Sequence, residues 1–230
     1  NFISGSATAM ITPFYDDGGI NFDSFGEMIE YQIENGTDAL VVLGTTGEPA
    51  TMTEDEKVAV MKFAKERVAG RVKLIFGTGS NSTAKAVAAT KRAEELGADG
   101  VLAVTPYYNK CTQKGIVEYY KAICEATSLP VIAYNVPPRT GVNIMPATAE
   151  ELSYIPNMAG IKEACGNMEQ ICETMRRIRP RMDMYSGDDN LNIPIMAIGG
   201  AALISVASNI APKQIKEIAT AMQKCKLEKA

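Results

Sequence analysis

The 230 residues, 46% hydrophobic and 22% charged, suffice for one substantial core, and a single domain over residues 1–230 is expected. A net charge of −4 without a basic cluster argues against nucleic acid or an anionic membrane surface as partner; the longest nearly apolar run, 193–207, is broken by Pro194 and Gly199-Gly200 and too short to span a bilayer. Histidine is absent, which removes the commonest general base and most catalytic zinc sites, and the five cysteines lack C-x-x-C spacing, as expected of reduced thiols in a cytoplasm.

Short runs rich in β-branched or apolar residues recur at 7–11, 39–43, 72–76, 101–104, 131–134, 158–161, 182–185 and 202–206. Longer segments with helical periodicity separate them. Strand and helix thus alternate eight times, which predicts a parallel sheet closed as a (β/α)8 TIM barrel of the α/β class. A doubly wound nucleotide fold would want a third glycine in Gly77-Thr78-Gly79-Ser80-Asn81-Ser82, so a nicotinamide cofactor is not expected. Thr53 with Glu56 predicts a capping box, and Gly36 and Gly97 stand where helices end. The segments 34–38 and 95–99, each running from glutamate through glycine to aspartate, form a weak echo two βα units apart.

Polar residues gather just after the runs, on the face where a barrel builds its active site. Gly44-Thr45-Thr46-Gly47-Glu48 can cradle a small anion or simply turn the chain. Tyr134 can be a proton carrier or an amphipathic packing residue, and Arg139 can grip a carboxylate with two parallel hydrogen bonds. Asp188-Asp189 with Glu48 offers hard oxygen ligands but not the spacing of a calcium loop, so no metal is expected. Lys162 stands at the end of an apolar run, where an ammonium must be paired, neutralised or used. It is either a barrel lysine bridged to Glu163 or another carboxylate, or an amine nucleophile that forms a Schiff base.

GTTGE at 44–48, TPYYNK at 105–110, YNVPPRTG at 134–141, GIKEACG at 160–166 and YSGDD at 185–189, in this order, resemble the dihydrodipicolinate synthase / N-acetylneuraminate lyase family of pyruvate-dependent class I aldolases. Thr45-Thr46 and Arg139 side with the synthase branch; a sister aldolase acting on a 2-keto-3-deoxy sugar acid and a catalytically silent member are the alternatives. The resemblance implies a barrel enzyme of lysine (diaminopimelate) biosynthesis, without cofactor, that joins pyruvate to L-aspartate-4-semialdehyde and works as a homodimer or higher homo-oligomer. It further implies that Lys162 forms the imine, that Tyr134 moves protons with Thr45 and a Tyr108 lent by a neighbouring subunit, and that Thr46, Ile204, Arg139 and Gly187 hold the substrates. Family members continue with further C-terminal helices, most of which this chain lacks. Their absence is expected to expose Ile215, Ile218, Ala219 and Met222 on the last helix.

Overall fold

A computed structural model describes residues 1–230. Eight strands, β1 (Gly5–Ala9), β2 (Ala39–Val42), β3 (Lys73–Gly77), β4 (Gly100–Val104), β5 (Val131–Asn135), β6 (Met158–Glu163), β7 (Asp183–Ser186) and β8 (Ala202–Ser205), pair in parallel with their neighbours in sequence. β8 pairs with β1 and closes the barrel. Around it lie α1 (Phe22–Glu34), α2 (Glu54–Val68), α3 (Thr83–Glu95), α4 (Gln113–Glu125), α5 (Pro137–Thr140), α6 (Pro146–Leu152), α7 (Met168–Ile178), α8 (Asn192–Ala197) and α9 (Pro212–Gln223). No helix is long and apolar enough to cross a membrane.

Strands covered on both faces need apolar side chains on both, which is why they read as nearly continuous runs. Leu40, Val42, Leu74, Phe76, Val101 and Ala103 point outward into the sheet–helix layer, while Ala39, Val41, Ile75 and Leu102 fill the barrel interior with Tyr185 and Ile204. β1 begins two residues earlier than its apolar run suggests. Gly5 opens it at φ +100, where a Cβ would sit 2.2 Å from Asp38 Oδ2, and Ile11 lies beyond the strand, 39% exposed on the rim.

The expected helix ends are present. Glu56 N–H donates to Thr53 Oγ1 (3.3 Å) and Thr53 N–H to Glu56 Oε2 (2.7 Å), and Gly36 and Gly97 adopt φ of +80 and +78. The echo between 34–38 and 95–99 has a physical basis: Asp38 accepts from Ser6 N–H at 2.8 Å and Asp99 from Leu74 N–H at 2.7 Å, each bracing the strand before its own.

The expected exposure of α9 is corrected. Ile215 and Ala219 are buried with Met196 and Leu203, and Ile218 and Met222 are partly buried against the same cluster. The apolar face of this amphipathic helix is the one turned onto the barrel, so it is already covered.

Candidate active site

The sheet decides which way Lys162 points. β5 and β6 start with Val131 opposite Met158, but the next pair is Ile132 with Gly160, so Ala159 is an extra residue on β6. Side chains alternate along a strand, and a one-residue slip exchanges the two faces. Met158 and Ile161 both lie in the outer layer, whereas a Cβ on Gly160 would strike the ring of Tyr185 in the interior. Lys162 follows Gly160 inward. Without the bulge Lys162 would pair with Asn135 and face the helices.

With it, Lys162 pairs with Tyr134. Lys162 Nζ stands 4.2 Å from the centre of the Tyr134 ring, with 4% of Lys162 and 6% of Tyr134 exposed. The ion-pair reading of Lys162 fails. Glu163 faces the other way, accepting from Asn135 Nδ2 (2.9 and 3.2 Å) and from Cys165 N–H (2.9 Å), and Lys162 takes part in none of the salt bridges.

Burial therefore dominates the charge state. It pushes the Lys162 ammonium down to about 8, against the opposing fields of Asp189 and Asp188. It lifts the Tyr134 phenol to about 12, with Arg139 pulling down and Asp188 pushing up. Asp188 is itself raised, chiefly by burial. The phenol stays protonated at neutral pH and makes no hydrogen bond within the chain, so it can donate to a bound molecule.

Gly187 leaves room beside the amine: a Cβ there would lie 3.1 Å from Lys162 Cε and 3.0 Å from Ala164 Cβ. Ile204 is buried in β8, in the interior cluster that also holds Tyr134. Arg139 is exposed on α5 and close enough for its charge to act on Lys162, Tyr134 and Asp188.

Thr45 and Thr46 begin a short 3-10 turn after β2, between Leu43 (φ +59) and Glu48 (φ +56). Such backbone is costly for residues with side chains and concentrates at functional sites. The approach of Leu43 explains Gly77 opposite it, where a Cβ would lie 2.0 Å from the Leu43 carbonyl oxygen. Thr45 is exposed, Thr46 half-buried, and no hydrogen bond joins either hydroxyl to Tyr134.

Tyr108 is 89% exposed at φ +74, held by a 3.3 Å hydrogen bond from its N–H to the Thr140 carbonyl. Its ring projects into solvent and is not bonded to Tyr134. The chain thus brings together Lys162, Tyr134 and Gly187, sets Arg139 within electrostatic reach, and leaves Thr45 and Tyr108 unconnected to the phenol.

Asp189 has a structural duty that its sequence position does not reveal: its Oδ2 accepts from Val206 N–H (3.0 Å) and Ala207 N–H (2.9 Å), tying the loop after β7 to the end of β8. The network behind the site, the buried Asn135 and Glu163 with the half-buried Asn143 and Gln170, also escapes sequence reasoning, which offered Glu163 only as an ion partner for Lys162. Only the Y-N and K-E dipeptides hinted at them.

The model of the dihydrodipicolinate synthetase family matches residues 2–230. The 4-hydroxy-tetrahydrodipicolinate synthase of Alkaliphilus oremlandii is 51% identical over 98% of this chain and 78% of its own. The crystal structure of dihydrodipicolinate synthase from Aquifex aeolicus superposes with a TM-score of 0.96 at 43% identity, covering 99% of this chain and 78% of that one. That of the Acinetobacter baumannii enzyme, complexed with pyruvate, does so with a TM-score of 0.96 at 43% identity over 98% of this chain and 78% of that one. With a family model matched over nearly its whole length and relatives of this identity, the chain belongs to the dihydrodipicolinate synthetase family.

Proposed function

We propose that this chain is a Schiff-base aldolase that condenses pyruvate with L-aspartate-4-semialdehyde to give 4-hydroxy-tetrahydrodipicolinate, in lysine biosynthesis and in the cytoplasm. The observation that carries the reading is the buried, unpaired Lys162 amine beside the ring of Tyr134. With its ammonium at about 8, roughly one molecule in eleven carries the free amine at pH 7, against about one in 2,500 for an ordinary lysine. The amine adds to the pyruvate ketone, water leaves, and the protonated imine draws electrons from the adjacent methyl group. Loss of a methyl proton gives an enamine whose carbon attacks the semialdehyde aldehyde, and the amino group of the semialdehyde then adds to the imine carbon and displaces the Lys162 amine, closing the ring and freeing the lysine.

Each step moves a proton, and in a chain without histidine the Tyr134 phenol is the group placed to carry it. Thr46 and the backbone of Ile204 hold pyruvate, Arg139 holds the semialdehyde carboxylate, and Gly187 leaves the space in which the new bond forms. Thr45 and a partner subunit's tyrosine at position 108 complete the relay. An exposed Tyr108 ring on strained backbone supports that last role.

Pyruvate with borohydride is expected to leave one reduced adduct, at Lys162, found by peptide mass. Folded, pyruvate-saturated protein with an unmodified Lys162 would sink the reading. Turnover is then expected with L-aspartate-4-semialdehyde and not with 2-keto-3-deoxy sugar acids. Sedimentation is expected to show a dimer or larger homo-oligomer, and Tyr108→Phe to lose activity while keeping that size. A fully active monomer would remove Tyr108 from the relay.

A further inference from the structure

One register step beyond Tyr134 and Lys162, Asn135 and Glu163 face each other on the helix side of β5 and β6, both fully buried. Asn135 Nδ2 directs one hydrogen at the two Glu163 oxygens (2.9 and 3.2 Å) and the other at Asn143 Oδ1 (2.9 Å), while its Oδ1 accepts from Ile144 N–H (2.9 Å). Asn143 and Gln170 exchange hydrogen bonds of 2.8 and 3.0 Å, carrying the network to the first turn of α7.

This is a costly arrangement. Glu163 has no cation partner, and burial raises its acid to about 7. Apolar side chains of like volume would fill the same space with less desolvation. Nor does the carboxyl serve the chemistry directly, because it lies on the face opposite Lys162. What the pair grips is the backbone that carries the site. Ala164 N–H donates to the Asn135 carbonyl (2.9 Å), and Gly187 N–H to the Glu163 carbonyl (2.8 Å), so β5, β6 and the Gly187 turn are joined at this level. The bulge at Ala159 leaves β6 one residue longer than its partner, and a bulged strand bends locally.

We propose that Asn135 and Glu163 are positioning residues: their side-chain bridge pins β5 to β6 at the end of their ladder, one register step past Lys162, and so holds the Lys162 amine over the Tyr134 ring at reacting distance. The proposal rests on the aldolase reading. It concerns geometry and not affinity, so its loss acts on the chemical step.

The test compares Glu163→Leu, which removes the bridge, with Glu163→Gln, whose Oε1 can accept from both Asn135 and Cys165. Glu163→Leu is expected to keep its circular dichroism and its pyruvate KM while kcat falls about 30-fold, since misplacement by about 1 Å costs on the order of 100-fold. Glu163→Gln is expected to restore kcat to within about 3-fold of wild type, the value of a bridge that needs shape and not charge. Asn135→Asp guards against misfolding of the leucine variant. It keeps volume and the Ile144 contact but turns an oxygen toward Glu163, and the same fall in kcat at constant KM is expected.

A folded Glu163→Leu or Asn135→Asp protein with wild-type kcat overturns the proposal, as does loss of stability and activity together in both variants. Borohydride trapping of wild type in parallel separates the two levels. An adduct at Lys162 with unaffected variants defeats the positioning role alone, and no adduct defeats the aldolase reading and the proposal with it.

Discussion

Lys162→Met is expected to abolish turnover, by about 10,000-fold or more, because in the proposed mechanism the Lys162 amine forms the imine. The same substitution is expected to stabilise the fold by about 3 kcal/mol at pH 7, the cost of holding a lysine whose ammonium has been lowered from 10.5 to about 8. The sign follows from proton counts. Between pH 8 and 10.5 the unfolded chain binds the proton more tightly than the folded one, so wild-type stability rises with pH across that window. Below it the penalty is complete. The advantage of the methionine variant is therefore expected to be full at pH 7 and to fade toward pH 10.5, which urea unfolding at several pH values measures. Equal stability of the two proteins at pH 7 would mean that the amine is better solvated than its 4% exposure implies.

Tyr134→Phe is expected to lower kcat by about 100- to 10,000-fold, the range for removing a positioned proton carrier. The ring that lies 4.2 Å from Lys162 Nζ is kept, and the lost hydroxyl has no partner within the chain, so folding is expected to be unaffected. Imine formation and proton transfer then come apart: pyruvate is still trapped on Lys162 by borohydride, more slowly, while condensation nearly stops. Wild-type kcat in the phenylalanine variant would transfer the proton work to another group. Retained trapping distinguishes the outcome from that of Lys162→Met.

The barrel was legible because its strands are buried on both faces and its helices carry their own start and stop residues. Lys162 was legible for a related reason: a lysine in an apolar run is conspicuous. Which face it occupies was not. Periodicity assigns alternate residues to opposite faces, but an inserted residue such as Ala159 inverts the assignment without altering composition. The rim was legible in residue type more than in contact. Thr45, Tyr108 and Arg139 stand on turns whose relation to Tyr134 depends on backbone that leaves the common regions, as at Tyr108 with φ +74. The Asn135–Glu163–Asn143–Gln170 network was invisible, since nothing local says which buried polar groups meet across strands. The apolar side of α9 was visible, but the neighbours that cover it, Met196 and Leu203, are set by tertiary packing.

The extra residue on β6 also bears on how the gene behind this chain can vary. Exchanging the Ala159 codon for that of another small residue changes one side chain at a bulge and leaves the count of residues intact. Removing that codon, or adding one between it and Lys162, transfers the amine to the opposite side of the sheet and brings Glu163 or Ile161 to the barrel axis. The reading frame survives and every motif letter remains, yet the proposed nucleophile is outside the barrel. For this strand, length is inherited information as much as spelling is, and single-codon indels between Met158 and Lys162 are expected to be loss-of-function changes that a comparison of residue identities alone would pass as harmless.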